Sequence, residues 1–406
     1  MPSIQNIACH KVVNSRGDWT IETRVTLTDG SFGSQIVPEG ASKGEREAIY
    51  IPVGKAVDIV TSSLSELLLG ENPFDQVKID EMMIDVDGTS NKRNFGANSI
   101  LSVSLAVCKA AASSRGVELY EYVRNLFGGR GAQLSFPVPL FNVINGGRHA
   151  DNNLSFQEFM LVPAKKFSFE KAMEIGVALY DDLERHLDGS GISTEVGDEG
   201  GFAPEGFTAE KTLSLIKAVA SKRFKVGDEV FFGCDAAADS FRRFSRYLIR
   251  EENLSFDGRT LLDFYRQLLS KFELVYLEDP FYERDAESWQ KITEELGSRT
   301  LVVADDLTVT NPAILKEVIK DKLCNAVIVK PNQVGTLTET LKFIKIAKDA
   351  GLVTVISHRS GDSGEDTFIA DLALAVGADF MKAGAPARGE RVAKYNRLLD
   401  VFQGLS

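Results

Sequence analysis

Six ionisable side chains in the second half of the chain each follow, or nearly follow, a short apolar run. They are, in order, Asp235, Glu278, Asp305, Lys330, His358 and Lys382. From the second of them onward, the intervals are 27, 25, 28 and 24 residues. A buried parallel strand reads as a continuous apolar run, and a strand with its return helix takes a few tens of residues. The spacing therefore predicts that these side chains meet at the C-terminal ends of the strands of a β/α barrel.

Asp235, Glu278 and Asp305 would place three carboxylates on three separate strand ends. Such oxygen ligands suit a hard cation such as Mg²⁺, and the absence of Cys and His from the set argues against zinc. Lys330 and Lys382 belong to the same rim. A lysine can act as a base when burial and neighbouring cations lower its pKa. The same acids and lysines could instead form a network of salt bridges, and the spacing leaves that alternative open.

Further candidates lie in four short stretches. His358-Arg359-Ser360-Gly361 follows an apolar strand and precedes a helical segment, an arrangement that suits a phosphate or a carboxylate. His149 lies in a glycine-rich loop, and Glu199 lies in a tight glycine turn. Gln157-Glu158 precedes another apolar run. The acids among them are candidates for a general acid opposite the lysines, although an acidic surface turn would explain Glu199 equally well.

Size and charge exclude several classes of protein. A chain of 406 residues is too long for one ordinary core and predicts two domains. The hydrophobic fraction of 44% and the charged fraction of 26% are those of a globular protein. With a net charge of −12, the chain lacks the electrostatic footprint of a nucleic-acid binder and should repel anionic membranes. An anionic substrate would therefore need local positive charge from metals or from placed lysines and arginines.

The cysteines and the N-terminus bear on location. The four cysteines are far apart, which argues against both a zinc cluster and a disulfide framework. They are Cys9, Cys108, Cys234 and Cys324. The N-terminus shows no basic-then-apolar signal, and no apolar run approaches the length that spans a membrane. These features predict a cytoplasmic protein without a membrane span.

The first part of the chain combines strand and helix patterns. Between residues 3 and 37 apolar and polar residues alternate, and Asp29-Gly30 marks a hairpin turn in a β-meander. The small residues of loop 37–44 suit either a mobile loop that approaches a ligand or an ordinary surface loop. Apolar residues at helical spacing follow between residues 55 and 125. Strands followed by helices predict an α+β domain.

After about residue 135, strand and helix patterns alternate. Apolar residues at helical spacing occupy 314–319 and 337–344, each between two of the apolar runs. The glycine-rich stretch 128–131 indicates the boundary. We therefore predict an α/β protein with an N-terminal α+β capping domain over residues 1–130 and a TIM-like β/α barrel, the catalytic domain, over residues 131–406.

Taken together, these segments resemble the enolase family over nearly the whole chain and in the family's order. The matching stretches are Ser15-Arg16-Gly17, Val37 to Gly44, Asp87-Gly88-Thr89, Gly96-Ala97-Asn98, Asn145 to Ala150, Gln157 to Met160, Gly197 to Gly201, Glu278 to Phe281, Ala304 to Pro312, Lys330 to Gln333, Ser357 to Gly361 and Lys382 to Pro386. The resemblance implies an enolase-type barrel behind an N-terminal α+β domain, with two Mg²⁺ ions in each active site.

The resemblance also implies metal ligands and a base. By that likeness Asp235, Glu278 and Asp305 hold the first ion, and Ser42 helps to hold the second. Lys330 resembles the base that removes the proton from C2 of 2-phosphoglycerate. Dications placed beside the substrate carboxylate stabilise the charge that this step develops.

The remaining site residues are implied in the same way. Glu199 resembles the acid that assists loss of the 3-hydroxyl, supported by Glu158 and Gln157. Arg359 and Ser360 resemble the phosphate contacts. Further catalytic or substrate contacts are implied for His149, Ser357, His358 and Lys382.

The activity implied is that of a lyase, which converts 2-phosphoglycerate into phosphoenolpyruvate and water in glycolysis and gluconeogenesis. The resemblance further implies a small phosphorylated anion as substrate and a homodimer or larger homo-oligomer. Three segments depart from the family's pattern: Glu39 in the loop, Asp18-Trp19, and the stretch 233–237 around Asp235. They leave open a paralogue that dehydrates a phosphonate or related analogue of 2-phosphoglycerate. A non-catalytic binding or scaffold protein on the same fold is the alternative of a different class.

Overall fold

An antiparallel meander opens the chain in the computed structural model, which describes residues 1–41, 43–129 and 134–405. Its strands are β1 (Ile4–Val13), β2 (Trp19–Leu27) and β3 (Phe32–Ile36), hydrogen-bonded in that order. Gly30 has a φ of +87° and donates its N–H to the carbonyl of Leu27 at 3.0 Å. The predicted meander and its turn are therefore confirmed.

Helices pack on one face of this meander. They are α1 (Val53–Ile59), α2 (Ser65–Leu68), α3 (Gln76–Asp87), α4 (Ala97–Arg115) and α5 (Leu119–Phe127), with a π-helical segment Val60–Leu64 between the first two. The long helix α4 lies so close to β3 that a Cβ at Gly33 would come within 2.3 Å of the backbone nitrogen of Ala110. Small residues along α4 permit this approach, and most of the helix is buried.

Among residues 1–41, 43–129 and 134–405, no single helix is long and apolar enough to cross a membrane. Together α4 and α5 reach that length and apolarity, but they are bent by 108° at their junction.

Eight strands close into a barrel, and a separate three-stranded sheet extends from it. The barrel strands are β4 (Val138–Asn145), β5 (Glu158–Pro163), β6 (Val230–Asp235), β10 (Leu274–Glu278), β11 (Leu301–Ala304), β12 (Ala326–Val329), β13 (Val353–Ser357) and β14 (Phe380–Lys382). The strands of the separate sheet come between β6 and β10 in the chain and are β7 (Arg242–Arg243), β8 (Arg246–Ile249) and β9 (Leu254–Phe256). The order around the barrel is β10-β11-β12-β13-β14-β4-β5-β6.

One barrel strand runs against the others. Strand β5 pairs antiparallel with both β4 and β6, and the other barrel pairs are parallel. The first residue of β5, Glu158, therefore lies beside the last residues of its neighbours, Asn145 and Asp235. This reversal brings an early residue of one strand to the same rim as the ends of the others.

The barrel is lined outside by helices and filled inside by side chains. The helices are α6 (Phe169–Gly189), α7 (Ala209–Ala220), α8 (Gly258–Lys271), α9 (Ala286–Leu296), α10 (Pro312–Lys320), α11 (Pro331–Val334), α12 (Leu337–Asp349), α13 (Phe368–Val376) and α14 (Gly389–Leu405). The two predicted stripes fall in α10 and α12. Apolar residues of both neighbouring and alternate strands, among them Leu140, Tyr276 and Ile328, fill the interior. An N-terminal α+β region with a C-terminal mixed barrel confirms the predicted fold class. The predicted domain boundary falls at residues 130 and 131, outside the described residues.

Candidate active site

The six side chains with which the sequence analysis began meet at one rim of the barrel. Strands β6, β10 and β14 end at Asp235, Glu278 and Lys382 themselves. The other three, which are Asp305, Lys330 and His358, follow directly after β11, β12 and β13. Parallel pairing holds neighbours in register, so that Glu278 lies opposite Asp235. The predicted position of all six at strand ends is confirmed.

Lys382 lies among three buried carboxylates. Its Nζ is 2.8 and 2.9 Å from the two oxygens of Glu278, 3.2 Å from Oε1 of Glu158 and 3.4 Å from Oδ2 of Asp235. Burial lowers the pKa of Lys382, but the charges of Glu158 and Glu278 outweigh it and raise that pKa well above its ordinary value. The ammonium thus links strands β5, β6, β10 and β14.

Lys330 is paired with a single carboxylate, that of Asp305. Gln333 donates to the other oxygen of Asp305 at 2.9 Å, which orients the carboxylate. Burial lowers the pKa of Lys330, yet the charge of Asp305 raises it overall. Carboxylates therefore dominate the surroundings of Lys330, and the lowering of its pKa by a neighbouring dication stays a prediction.

The donor set fits a hard divalent cation. Burial, followed by the charge of Glu278, raises the pKa of Asp235 to about 8, so negative charge exceeds positive charge at this rim. One oxygen of Glu158 is buried without a hydrogen-bond partner among the described residues. A dication would offset the excess charge with oxygen ligands of the kind that Mg²⁺ prefers. The salt-bridge network and the metal site are thus built from the same oxygens.

Asp279 is a site residue that the sequence analysis missed. Its two carboxylate oxygens accept the backbone N–H groups of Asp305 and Asp306, each at 2.9 Å. One oxygen from each of these three aspartates lies within 4.8 Å of the others, a grouping that could also hold a metal ion. The sequence feature that could have indicated Asp279 is its position directly after Glu278. Asp279 fixes the backbone that carries Asp305.

Glu199 lies between two buried histidines, His149 and His358. These three residues and Glu158 form the second wall of the site, and the rim residues Asp235, Glu278, Asp305, Lys330 and Lys382 form the first. Nε2 of His358 is 3.3 Å from Oε2 of Glu199, and Nδ1 of His149 is 3.5 Å from Oε1. His149 also lies 3.6 Å from Oε1 of Glu158, so it stands between the two glutamates. Asn142 on β4 donates to Oε2 of Glu199 at 3.0 Å. The acidic turn that contains Glu199 is therefore buried in the site, and the surface-turn alternative is wrong.

The two glutamates differ in charge. Burial raises the pKa of Glu199, but His149 and His358 outweigh it and hold that pKa well below its ordinary value. Burial, then the charge of Glu199, raises the pKa of Glu158 well above its ordinary value. Burial lowers the pKa of His149 to about 4 and that of His358 to about 3. The pKa values of the two glutamates are therefore shifted in opposite directions, and both imidazoles are neutral at neutral pH.

Arg391 on α14 fixes one of these imidazoles and was also missed. It is fully buried, and its guanidinium donates to Nδ1 of His358 at 2.6 Å and to the carbonyls of Arg359 and Ser360 at 2.8 and 2.5 Å. An arginine only donates, so Nδ1 of His358 must accept and Nε2 carries the hydrogen toward Glu199. No sequence signal separated Arg391 from other basic helix residues.

The glycine-containing loop is docked on the segment after β13. The N–H of Ala41 donates to Oγ of Ser360 at 2.7 Å, and the backbones of Glu39 and Gly361 exchange two hydrogen bonds of 2.8 Å. A Cβ at Gly40 would come within 2.0 Å of the guanidinium of Arg359, so this approach requires glycine. Ser42, the predicted second-metal ligand, lies outside the described residues.

The other predicted substrate contacts are buried near this loop. Arg359 pairs with Glu47 at 3.1 and 3.2 Å. Ser357 donates to the carbonyl of His358 at 3.1 Å. Gln157 lines a cavity of about 260 Å³ together with Asp235 and Asp305, and its Oε1 is buried without a hydrogen-bond partner among the described residues. An unsatisfied buried acceptor of this kind suits a ligand group.

Two family models match most of the chain. The family model described as "Enolase, N-terminal domain" matches residues 4–123, and the one described as "Enolase, C-terminal TIM barrel domain" matches residues 133–406. The chain belongs to the enolase family. Its membership indicates a lyase of glycolysis, a phosphopyruvate hydratase that dehydrates 2-phosphoglycerate with a divalent metal.

The departures from the enolase pattern leave the site intact. Lys43 donates to the carboxylate of Glu39 at 2.5 Å, so the extra negative charge in the loop is already paired. Asp18 pairs with Arg16 at 3.6 Å, and Trp19 beside it is 60% exposed. In the stretch around Asp235, Cys234 is fully buried. None of these residues displaces a predicted catalytic group of the enolase site.

Proposed function

We propose that the protein dehydrates 2-phosphoglycerate with Lys330 on the rim as base and Glu199 on the second wall as acid. The observation that carries the proposal is one chain of buried contacts. Lys382 contacts Glu278, Asp235 and Glu158, and His149 lies 3.5–3.6 Å from both Glu158 and Glu199. A base and an acid on separate elements suit an elimination that needs both faces of the substrate.

Two Mg²⁺ ions complete the proposed site. Asp235, Glu278 and Asp305 would hold one of them, and Ser42 would help to hold the other. When bound, the ions offset the negative charge that builds on the substrate carboxylate as the C2 proton leaves. Support comes from the excess of buried carboxylates over lysines at the rim, which the raised pKa of Asp235 expresses.

The protons have proposed donors and acceptors among the chain's own residues. Nζ of Lys330 would accept the proton from C2 as a neutral amine, once cations held by the neighbouring carboxylates lower the pKa that Asp305 raises. Glu199 delivers a proton to the leaving 3-hydroxyl, held in place by Asn142 and by Nε2 of His358. The store for that proton would be Glu158, whose pKa is raised by burial and by the charge of Glu199, and which is connected to Glu199 through His149. Lys382, in contact with Glu158 and the metal-binding carboxylates, keeps both walls in register.

The phosphate and carboxylate of the substrate would be held between the loop and the segment after β13. Arg359, Ser360 and Ser357 supply positive charge, a hydroxyl and backbone support. Gln157, with its unsatisfied acceptor, and His149 supply further contacts. Docking of the loop through Ala41 and Ser360 excludes water during the reaction.

The setting of the enzyme is proposed from family membership and composition. We propose a homodimer or larger homo-oligomer that acts in the cytoplasm. The capping domain would end at residue 130 and the catalytic barrel would begin at residue 131.

Turnover of 2-phosphoglycerate, measured by the absorbance of the new enol double bond, tests the proposal. EDTA should abolish activity and Mg²⁺ should restore it. Lys330→Ala should lower kcat by roughly 10³-fold, within the range of general acid–base catalysis. Lys342→Ala, an exposed lysine of α12, is the matched control and should be fully active. No turnover with saturating Mg²⁺, or full activity of Lys330→Ala, would refute the proposal.

The same assay decides against the alternatives. The phosphonate alternative was motivated by Glu39, whose carboxylate is paired with Lys43. A kcat/KM for 2-phosphoglycerate of about 10⁴ M⁻¹s⁻¹ or more would remove the need for another substrate. It would also leave a scaffold function only as a second role.

A further inference from the structure

A groove of about 520 Å³ opens beside the active-site cavity. One side is the loop that joins β4 to β5, and the other is the 3₁₀ turn at 238–241 with the β7–β8 hairpin. The two hollows are neighbours, since Arg148 and Ser240 line both of them. A molecule in the groove would therefore be one side chain away from the active-site cavity.

The groove carries three arginines. They are Arg148, Arg243 and Arg250, all exposed. Over the described residues, the side chains of Arg148 and Arg250 form no ion pair and no hydrogen bond, and Arg243 donates to the carbonyl of Arg242 at 2.8 Å. The nearby carboxylate of Glu251 is occupied, because it accepts the N–H and hydroxyl of Ser155 at 3.1 and 2.5 Å. The guanidinium groups are thus available to an anion.

This positive charge stands out against its surroundings. The chain has a net charge of −12, and carboxylates outnumber basic side chains around the active-site cavity. Among them are Asp239 and Glu283, which have buried oxygens without hydrogen-bond partners in the described parts of the chain. A substrate with both a phosphate and a carboxylate is repelled by such a mouth. A neighbouring basic groove would attract it and raise its local concentration.

We propose that the Arg148–Arg243–Arg250 groove is a capture subsite for a phosphorylated anion, which binds there before it enters the active-site cavity. This inference rests on the proposed function for the identity of the anion, 2-phosphoglycerate. Arginine suits the role because its planar guanidinium binds phosphate oxygens in pairs. Exposed arginines act mainly on the rate of encounter, so the groove serves kcat/KM and leaves kcat unchanged.

Kinetics at different salt concentrations test the proposal. At about 20 mM salt, Arg243→Gln/Arg250→Gln, which changes only residues outside the active-site cavity, should lower kcat/KM roughly 5- to 10-fold, which lies at the lower end of electrostatic steering. At about 0.5 M salt, screening should bring the variant and the wild type together. Arg299→Gln is the matched control, because Arg299 is exposed and precedes β11 at the opposite end of the barrel. It should match the wild type at both salt concentrations.

A binding measurement that needs no turnover separates this proposal from the reaction itself. Inorganic phosphate added to the metal-free protein should shift the Nε–H resonances of Arg148 and Arg250, and should leave that of Arg299 unchanged. Absence of these shifts would overturn the subsite even in an active enzyme. The capture role would be overturned by an unchanged kcat/KM in the double variant, by an equal loss in Arg299→Gln, or by a loss that persists at high salt.

Discussion

The two walls of the site handle buried charge in different ways. On the rim of parallel strands, Lys330 and Lys382 hold the carboxylates by direct ion pairs. On the opposite wall, two histidines surround Glu199, and both stay neutral because burial lowers their pKa values to about 4 and about 3. One wall is held by full charges and the other by neutral rings beside a single charged carboxylate.

Because the carboxylates of the two walls have different partners, one wall can accept a cation and the other can move a proton. A metal ion can take the place of a lysine in these ion pairs, since both neutralise the same carboxylate oxygens. Neutral imidazoles cannot compensate a second negative charge, so burial and the charge of Glu199 together raise the pKa of Glu158 well above its ordinary value. The rim is therefore suited to binding metal, and the opposite wall is suited to holding a transferable proton.

The largest expected effect comes from the proton-holding wall. Glu199→Gln should lower kcat by roughly 10³-fold with little change in KM, because the amide cannot donate the proton that the leaving hydroxyl needs. Steady-state turnover of 2-phosphoglycerate measures this change. Asn152→Ala, in the loop that joins β4 and β5 but outside the glutamate contacts, is a control for loop disturbance.

Infrared spectroscopy then locates the proton of the pair. One component of the carbonyl band of protonated, buried carboxyls should be present in the wild type and lost in Glu158→Gln, apart from any component that Asp235 contributes through its pKa of about 8. It should persist in Glu199→Gln, because burial is the larger cause of the raised pKa of Glu158. A band that vanishes in Glu199→Gln and persists in Glu158→Gln would reverse the assignment of charge.

The next largest effect tests the ion-paired rim. Lys382→Met should lower the free energy of unfolding by about 3–5 kcal/mol, because Glu278, whose two oxygens contact Lys382, is left buried without its cation. Chemical denaturation of the metal-free protein measures it. Lys165→Met is the matched control, since Lys165 is 80% exposed and 4.0 Å from Asp379, and its loss should cost about 1 kcal/mol or less. Equal losses in the two variants would contradict the role given to Lys382.

The same contrast explains what could be predicted from the sequence. The rim was predictable because a continuous apolar run that ends in a charge marks a parallel strand and its C-terminal end. The second wall was not, because Glu158 reaches it through the antiparallel strand β5, which breaks that rule. Its acid candidates entered from loop motifs, and their roles came from the resemblance to the enolase family.

Supporting residues were hardest to predict. Asn142 lies inside an apolar strand, and Arg391 lies in a terminal helix, so their partners are set only by tertiary packing. The small β7–β8–β9 sheet was missed because its strands have two to four residues, too few for a periodic pattern. The raised pKa of Lys330 also depends on distances that spacing along the chain does not provide.

A smaller effect distinguishes a metal site from a salt-bridge network. Mg²⁺ at about 100 times its dissociation constant should stabilise the protein by about 2.7 kcal/mol, because it binds the folded site and not the unfolded chain. Thermal unfolding with and without Mg²⁺ measures the shift. Asp305→Asn should lose most of it, whereas Asp321→Asn, an exposed residue at the end of α10, should keep it. A full shift in Asp305→Asn would leave the rim as a salt-bridge network.

The smallest effect concerns the neutral histidines. The folded-state pKa of His149 is about 4, below the ordinary 6.5, so the unfolded chain binds more protons between these values. Its contribution is fully present above pH 6.5 and is lost as pH falls toward 4, by about 1.4 kcal/mol for each pH unit. Denaturation of the wild type and of His149→Asn should therefore differ in slope by that amount within this window, and should run parallel above pH 7. Parallel curves throughout would mean that the pKa of His149 is the same in the folded and the unfolded protein, and would contradict the neutral ring at pH 5. A second wall that holds its glutamates by ion pairs, as the rim does, would instead show a slope difference of the opposite sign above pH 6.5, because a raised folded-state pKa stabilises the protein at low pH.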